Sequence, residues 1–498
     1  MRRHRRLTCI AALVPAVLCA PAEAHAQRWD VGQAAGGAVI EAIERPGASD
    51  GASTVLLVGG LDGDSASAGR VRQALASGDR PDVRLLAIAA DNPDAGPLAF
   101  PPEGTAYREN RASHALWRWI GVHAPDLVLV AGEDFGLASA LSAGGLPGVG
   151  AIPARRVARD TPLLAQIPDR VSPSPARLEI ERRLSRTPAA LGAELATVYG
   201  HAFDQVTYLP GMALIGRMRL GAVSDVESLA APYLETPPPI RSSLTVAGHL
   251  VFAELAERTG RDDYLALTRA AADLAFDETG AMREAMPMHG EMSDAFFMAG
   301  PVLARAGRLT GDARYFEMVG RHVRFMNGLT LRSDGLYRHS PLTDAAWSRA
   351  NAFPALGLAL LLSDVPETHA AFAGMLDSFR RHMAALLPFQ DADGMWHVVV
   401  DHPGSYAELS ATAMIGTAML RGIERGWLDA RTYRPRVDAA WRGVLARTGS
   451  DGTLLDVCES TNKQPSLEDY LNRAAVFGRD ERGGGMMLIF ATEMAGLR

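Results

Sequence analysis

Residues 347–362 read WSRANAFPALGLALLL. After its first five residues this stretch is apolar on every side. It has no polar stripe for a surface helix and is too short to span a bilayer. Such a helix must be enclosed by others. Three further stretches share its character: MSDAFFMAGPVLARA at 292–306, ELSATAMIGTAMLRGI at 408–423 and GGGMMLIFATEMAGL at 483–497. Each follows a turn marked by Asp-Gly or a near equivalent. These are DETGAM at 277–282, SDGLY at 333–337, DADGMW at 391–396 and SDGTL at 450–454. The turns recur roughly sixty residues apart, the span of one helix–turn–helix unit. The helices before the turns are amphipathic, and two open with similar signals, GRDDYLAL at 260–267 and GDARYFEM at 311–318.

One amphipathic and one apolar helix per repeat predict an outer ring wrapped around an inner one. FDQVTYLPGMALIGRMRL at 203–220 and SLTVAGHLVFAELAERTG at 243–260 bring the inner helices to about six, the repeat number of an (α/α)6 toroid. Residues 189–498 are assigned to it, with no strand expected there. The turns entering the inner helices would gather at one end of the barrel, and a ligand site would lie there.

The preceding region has another pattern. STVLLVGG, VRLLAIAA and PDLVLVAGE are short apolar stretches bounded by Gly, Asp and Pro, as buried strands are. SASAGRVRQALAS and NRASHALWRWIGVHA read as helices between them. Alternating strands and helices predict an α/β domain with a parallel or mixed sheet over 27–188. The polar PDRVSPSPARLEIERRLSRTP marks its boundary. Residues 1–26 carry four arginines, a short apolar segment and small residues at a cleavage spacing, which predicts a secretory signal peptide and a periplasmic or secreted protein. Loss of that peptide would leave Cys458 alone, with no internal disulfide. The net charge is −7, and no basic stripe is present. Both argue against nucleic acid as a partner, and no later segment is apolar enough to span a membrane.

The polar residues that stand out begin the inner helices. They are His289, Glu291 and Asp294; His339, Trp347, Arg349 and Asn351; and Tyr406 and Glu408. Carboxylate, aromatic, arginine and histidine together suit a sugar acid. Rings stack on pyranose faces, and a guanidinium forks onto a carboxylate. Asp294 sits among Phe296, Phe297, Met298 and Pro301. Its ordinary use would be to accept from the first amides of its helix. Its functional use would be general acid catalysis from an apolar pocket. Arg349 equally suits a bridge to Asp344 or Glu408, and Glu408 suits a helix cap. Cys458 and the Met-rich stretches suit core packing.

Three segments resemble the unsaturated glucuronyl and rhamnogalacturonyl hydrolases, glycoside hydrolase families 88 and 105. They are MSDAFFMAGPVLARAGRLTGDARYFE, GLYRHSPLTDAAWSRANAFPALGLALLL and SYAELSATAMIGTAMLRGIERGWL. The tail DGTLLDVCEST through YLNRAAVFGRDERGGGMMLIFATEM is similar to the same family. The resemblance covers roughly residues 190–498 and is nearer to family 105. It implies hydration of the vinyl ether in a 4,5-unsaturated uronic acid that caps a lyase-generated oligosaccharide, without metal or cofactor. Asp294 matches the family's acid/base, and His339, Trp347, Arg349 and Asn351 lie in its substrate-contacting segment. The family's second Asp has no counterpart in SSLTVAG at 242–248, where Ser243 and Thr245 stand. An altered substrate preference, a sugar-binding protein with a decayed site and an inverting glycosidase on the same fold remain alternatives. The last needs two carboxylates across the sugar. The N-terminal domain faintly resembles a zinc carboxypeptidase through VGGLDGDSASAGRVRQAL, DNPDAG and FPPEGTAYREN. The first zinc motif would fall on Asp62 and Ser65. Ser in place of Glu removes a ligand, so the domain is expected to be degenerate and metal-free.

Overall fold

The computed structural model describes residues 27–34, 36–49, 51–89 and 98–497. The expected signal peptide and the DNPDAG stretch lie outside the described residues.

The N-terminal domain is built on a six-stranded sheet. In chain order its elements are β1 (Arg28–Gln33), β2 (Val39–Arg45), β3 (Ser53–Gly59), α1 (Ser65–Ala76), β4 (Val83–Ala89), α2 (Arg111–His123), β5 (Leu127–Ala131), α3 (Leu137–Ala143), β6 (Ala154–Val157) and α4 (Pro175–Leu184). The strand order is β1-β2-β4-β3-β5-β6, parallel from β4 through β6, with β1 and β2 joined antiparallel at one edge. Val55 and Leu57 of β3 face one apolar cluster, while Leu56 and Val58 face another. Burial on both faces is why this strand reads as an unbroken apolar stretch. β1, β2 and β6 were not anticipated, because RWDVGQ, VIEAIER and ARRV mix charge into strands covered on one side or at an edge. The polar boundary segment also forms a helix. Ser174 caps α4 and Pro175 occupies its first turn, an arrangement that favours helix initiation.

Six helical hairpins follow. The outer members are α5 (Pro188–Ala196), the pair α7 (Val223–Ala230) and α8 (Pro232–Glu235), α11 (Asp262–Ala272), α14 (Ala313–Thr330), α16 (Phe372–Leu386) and α18 (Ala430–Ala446). The inner members are α6 (Tyr208–Arg219), α9 (Ser243–Gly248) with α10 (Leu250–Thr259), α12 (Ala295–Met298) with α13 (Gly300–Thr310), α15 (Ser348–Asp364), α17 (Leu409–Glu424) and α20 (Glu481–Met494). Each inner helix packs on the next, and α20 returns to α6, closing the ring. The repeat marker has a backbone cause. Gly280, Gly335, Gly394 and Gly452 all adopt φ between +81° and +87°, which glycine reaches without steric cost. At Gly394 a Cβ would lie 2.3 Å from the Ala439 backbone, so the turn packs flat on α18.

The toroid is not purely helical. β7 (Leu454–Cys458) and β8 (Ala475–Gly478) pair antiparallel around α19 (Leu467–Leu471), forming an excursion between α18 and α20. This corrects the expectation of no strand beyond residue 188. LLDVC is too short to be told from helix by periodicity alone. Among the described residues no helix is long and apolar enough to cross a membrane.

Candidate active site

The six loops that enter the inner helices meet at one end of the toroid. Asp294 precedes α12, and its side chain makes no capping hydrogen bond to that helix. The ordinary use of a helix-start carboxylate is therefore not the one found. Its loop is held elsewhere: the Ser293 amide donates to the His339 carbonyl at 3.0 Å, and Ser293 Oγ donates to the Ala350 carbonyl at 2.8 Å. These bonds bring Asp294 Oδ1 to 3.5 Å from His339 Nε2. Both atoms are buried, and neither has a hydrogen-bond partner. Such atoms are costly and call for an explanation.

His339 is fixed from behind. Its Nδ1 lies 2.8 Å from the Tyr470 hydroxyl, which also accepts from the Gln464 amide at 3.1 Å. Burial pushes the Tyr470 phenol up to about 12, so it keeps its proton. Donation of that proton to Nδ1 sets the tautomer whose Nε2–H points at Asp294. Trp347 lies beside the imidazole with ring centroids 4.8 Å apart. The Arg349 guanidinium sits over Trp347 at 4.9 Å. Asp294, His339, Trp347 and Arg349 thus form one cluster.

The predicted residues differ in what they have left to offer. Arg349 Nη1 and Nη2 donate to the Cys458 and Glu459 carbonyls at 2.8 and 3.0 Å, while its Nε has no partner. It bridges neither Asp344 nor Glu408 through a hydrogen bond, and its fork is committed to backbone. Asn351 is fully engaged. It accepts from the Tyr337 amide and donates to the Tyr337 and Trp347 carbonyls, all at 2.8–3.0 Å. The expectation of substrate contact at Asn351 thus meets a side chain that pins the preceding loop to α15. Glu408 caps α17 and accepts from the Cys458 amide at 2.9 Å. His339, Trp347, Arg349 and Asn351 are each at most 3% exposed, whereas the Asp294 side chain is 17% exposed. Access to the cluster therefore runs past Asp294.

Tyr470 and Tyr208 were missed. Tyr208 begins α6, and the charges of Arg349 and Asp294 act on its hydroxyl. Burial pushes that hydroxyl up to about 12. Its place at the head of an apolar helix was the available signal, whereas Tyr470 sits in an excursion with no repeat to align it. Where the family's second Asp would be sought, the Ser242 and Thr245 hydroxyls form a capping box on α9. Glu291 pairs with Lys463 at 3.0 Å, and His289 accepts from the Glu291 amide. In the first domain, Asp62 accepts from the Asp64 amide, Ser65 begins α1, and Glu133 pairs with Arg156. Among the described residues no group of three or more His, Cys, Asp or Glu is arranged to hold a metal.

The family model described as Glycosyl Hydrolase Family 88 matches residues 244–497. The unsaturated rhamnogalacturonyl hydrolase YesR of Bacillus subtilis is 27% identical over 256 residues, covering 47% of this chain and 71% of that protein. An unsaturated 3S-rhamnoglycuronyl hydrolase of Formosa agariphila is 28% identical over 177 residues, covering 32% of this chain and 47% of that protein. A solved structure of a possible GH105 member from Klebsiella pneumoniae superposes with a TM-score of 0.55 at 22% identity, over 66% of this chain and 95% of that one. This last likeness bears on the fold. The resemblance of the N-terminal domain to zinc carboxypeptidases finds no support in these comparisons. The family match runs from the second inner helix to the last, and the chain belongs to glycosyl hydrolase family 88.

Proposed function

We propose that this protein removes a terminal 4,5-unsaturated uronic acid from lyase-generated oligosaccharides by hydrating the vinyl ether. The supporting observation is the pair Asp294 Oδ1 and His339 Nε2, facing at 3.5 Å with neither atom hydrogen-bonded within the protein. Asp294 delivers a proton to C4, leaving positive charge shared between C5 and the ring oxygen. Water adds at C5 and returns a proton to Asp294. The hemiketal then opens and releases the saturated sugar. His339 orients the carboxylate and the water, and Tyr470 holds His339 in the required tautomer. Trp347 supports the imidazole, and buried Arg349 supplies positive charge toward the sugar acid. A single acid/base suffices, so the absence of an acid at 242–248 does not exclude the reaction. The leader-like residues 1–26 favour work outside the cytoplasm.

The test is loss of the ultraviolet absorbance of the conjugated uronate, with lyase-digested pectin and glycosaminoglycan oligosaccharides as substrates. Loss with the native protein and none with Asp294→Asn supports the reading. No loss with either class, from folded protein, sinks it and turns the question to sugar binding, measurable by calorimetric titration.

A further inference from the structure

The N-terminal domain does not merely adjoin the toroid. Ala106, Tyr107 and Ala115 share one apolar cluster with Trp347, Ala350, Cys458 and Tyr470. The candidate site and the first domain therefore have a common core. Polar contacts follow the same seam. Arg118 pairs with Asp456, and the Tyr107 hydroxyl donates to the other Asp456 oxygen at 3.2 Å. Asp456 occupies the bulge of β7 with φ +66°, a conformation Asp tolerates better than most residues. Arg108 pairs with Glu459. Arg111 donates to Asn472 and pairs with Glu468 at 3.4 Å. Arg111 and Arg118 are two helical turns apart, so α2 presents both to the same side.

All these partners lie on the excursion β7–α19–β8. That excursion supplies the Cys458 and Glu459 carbonyls that hold Arg349 and the Tyr470 hydroxyl that holds His339. We infer that the N-terminal domain is a positioning element of the candidate site, acting through Arg108, Arg111 and Arg118 on the excursion that fixes His339 and Arg349. This inference rests on the function proposed above. It gives the first domain a role that needs no chemistry of its own.

The test uses the full chain. Arg111→Ala lets α19 shift, and misplacement by an ångström can cost on the order of a hundredfold in rate. The expected result is a fall in kcat of about ten- to a hundredfold, with KM within about threefold of native. Arg111→Lys should restore part of the loss, and Arg156→Ala, which breaks an ion pair away from the seam, should leave kcat unchanged. Tyr470→Phe should lower kcat similarly, and the double variant should be no worse than the more severe single one, because both act through His339. Hydrogen exchange supplies a readout independent of turnover: Arg111→Ala should raise exchange in peptides spanning 454–472 and also 337–350. If Arg111→Ala fails to fold, Asn472→Ala removes the contact from the toroid side. Native kcat in both variants overturns the inference, as does a multiplicative loss in the double variant. Exchange unchanged at 337–350 overturns it even if the native protein proves inactive on unsaturated uronates, an outcome that would sink the proposed reaction separately.

Discussion

The two ends of the toroid treat charge in opposite ways. At the end where the inner helices finish, Arg305 pairs with Glu254, Glu257 and Asp364, and Arg308 with Glu257 and Asp364. Arg219 and Arg421 converge on the fully buried Glu493. Basic residues there also suit the negative ends of the helices. At the end where the inner helices begin, Asp294 Oδ1, His339 Nε2 and Arg349 Nε are buried with no hydrogen-bond partner. Among the described residues the closed end has two such nitrogens, Arg219 Nε and the uncharged indole Trp427 Nε1. One ring of helices thus carries a nearly satisfied charge network at one pole and a cluster of incomplete polar groups at the other. Satisfied networks fix structure, and incomplete ones mark where a ligand completes the bonding.

Neutralising a residue at each pole should therefore give opposite phenotypes. Asp294→Asn removes the proton donor while leaving packing unchanged. Turnover of unsaturated uronyl oligosaccharide should fall by about 10³–10⁴-fold, near the upper range for general acid–base catalysis, with no loss of thermal stability in a melting scan. Glu493→Ala does the reverse. It leaves two buried guanidiniums without their shared partner and should destabilise by about 3–5 kcal/mol, read by urea unfolding, with kcat per folded molecule unchanged. A stability loss in Asp294→Asn equal to that of Glu493→Ala would erase the distinction between the poles.

The closed end should also contribute to the acid limb of stability. Burial opposes ionisation of Glu493, but Arg421 and then Arg219 outweigh it and hold its pKa below the ordinary 4.5. Glu254 is lowered in the same way, against burial, chiefly by Arg305. Groups lowered on folding contribute stability that is complete above the unfolded value and lost as pH falls through the folded one. Stability should therefore decline below pH 4.5. Glu493→Gln should flatten that decline, and unfolding free energy measured against pH checks it. A milder effect is expected at Asn351, whose amide ties Tyr337 to α15. Asn351→Ala should cost about 1–3 kcal/mol, the penalty for leaving a buried backbone group unpaired, and should lower kcat less than Asp294→Asn does.

This contrast also explains what the sequence disclosed. Apolar helices such as WSRANAFPALGLALLL and the Asp-Gly turns between them are local patterns, so the toroid was legible. Asp294 and His339 were legible because they stand at repeat positions. Their consequences were not, since the 3.5 Å approach depends on Ser293 bonding to both His339 and Ala350, residues distant in sequence. Arg349 and Asn351 were recognised as important residues, yet their backbone partners, Cys458, Glu459 and Tyr337, carry no side-chain signal at all. Tyr470 and the seam with α2 lie in non-repeating chain, where only tertiary contact defines the neighbours.

The smallest expected effect tests whether burial, rather than charge pairing itself, separates the poles. Glu291 and Lys463 bridge two loops at the open end at 3.0 Å, with side chains 55% and 33% exposed. Exposed pairs contribute about 0–1 kcal/mol, because water screens them and ordering two flexible chains opposes the gain. Lys463→Ala should therefore lower the melting temperature by no more than about 2 °C, given the entropy of unfolding for a chain of this size. Its kinetic effect should be a rise in KM of no more than about threefold for an anionic oligosaccharide, shrinking as salt is added, since an exposed cation acts mainly by long-range attraction. A salt-independent loss comparable to that of Glu493→Ala would show that this pair is part of a rigid closed wall, and the open end would then be held together much as the closed end is.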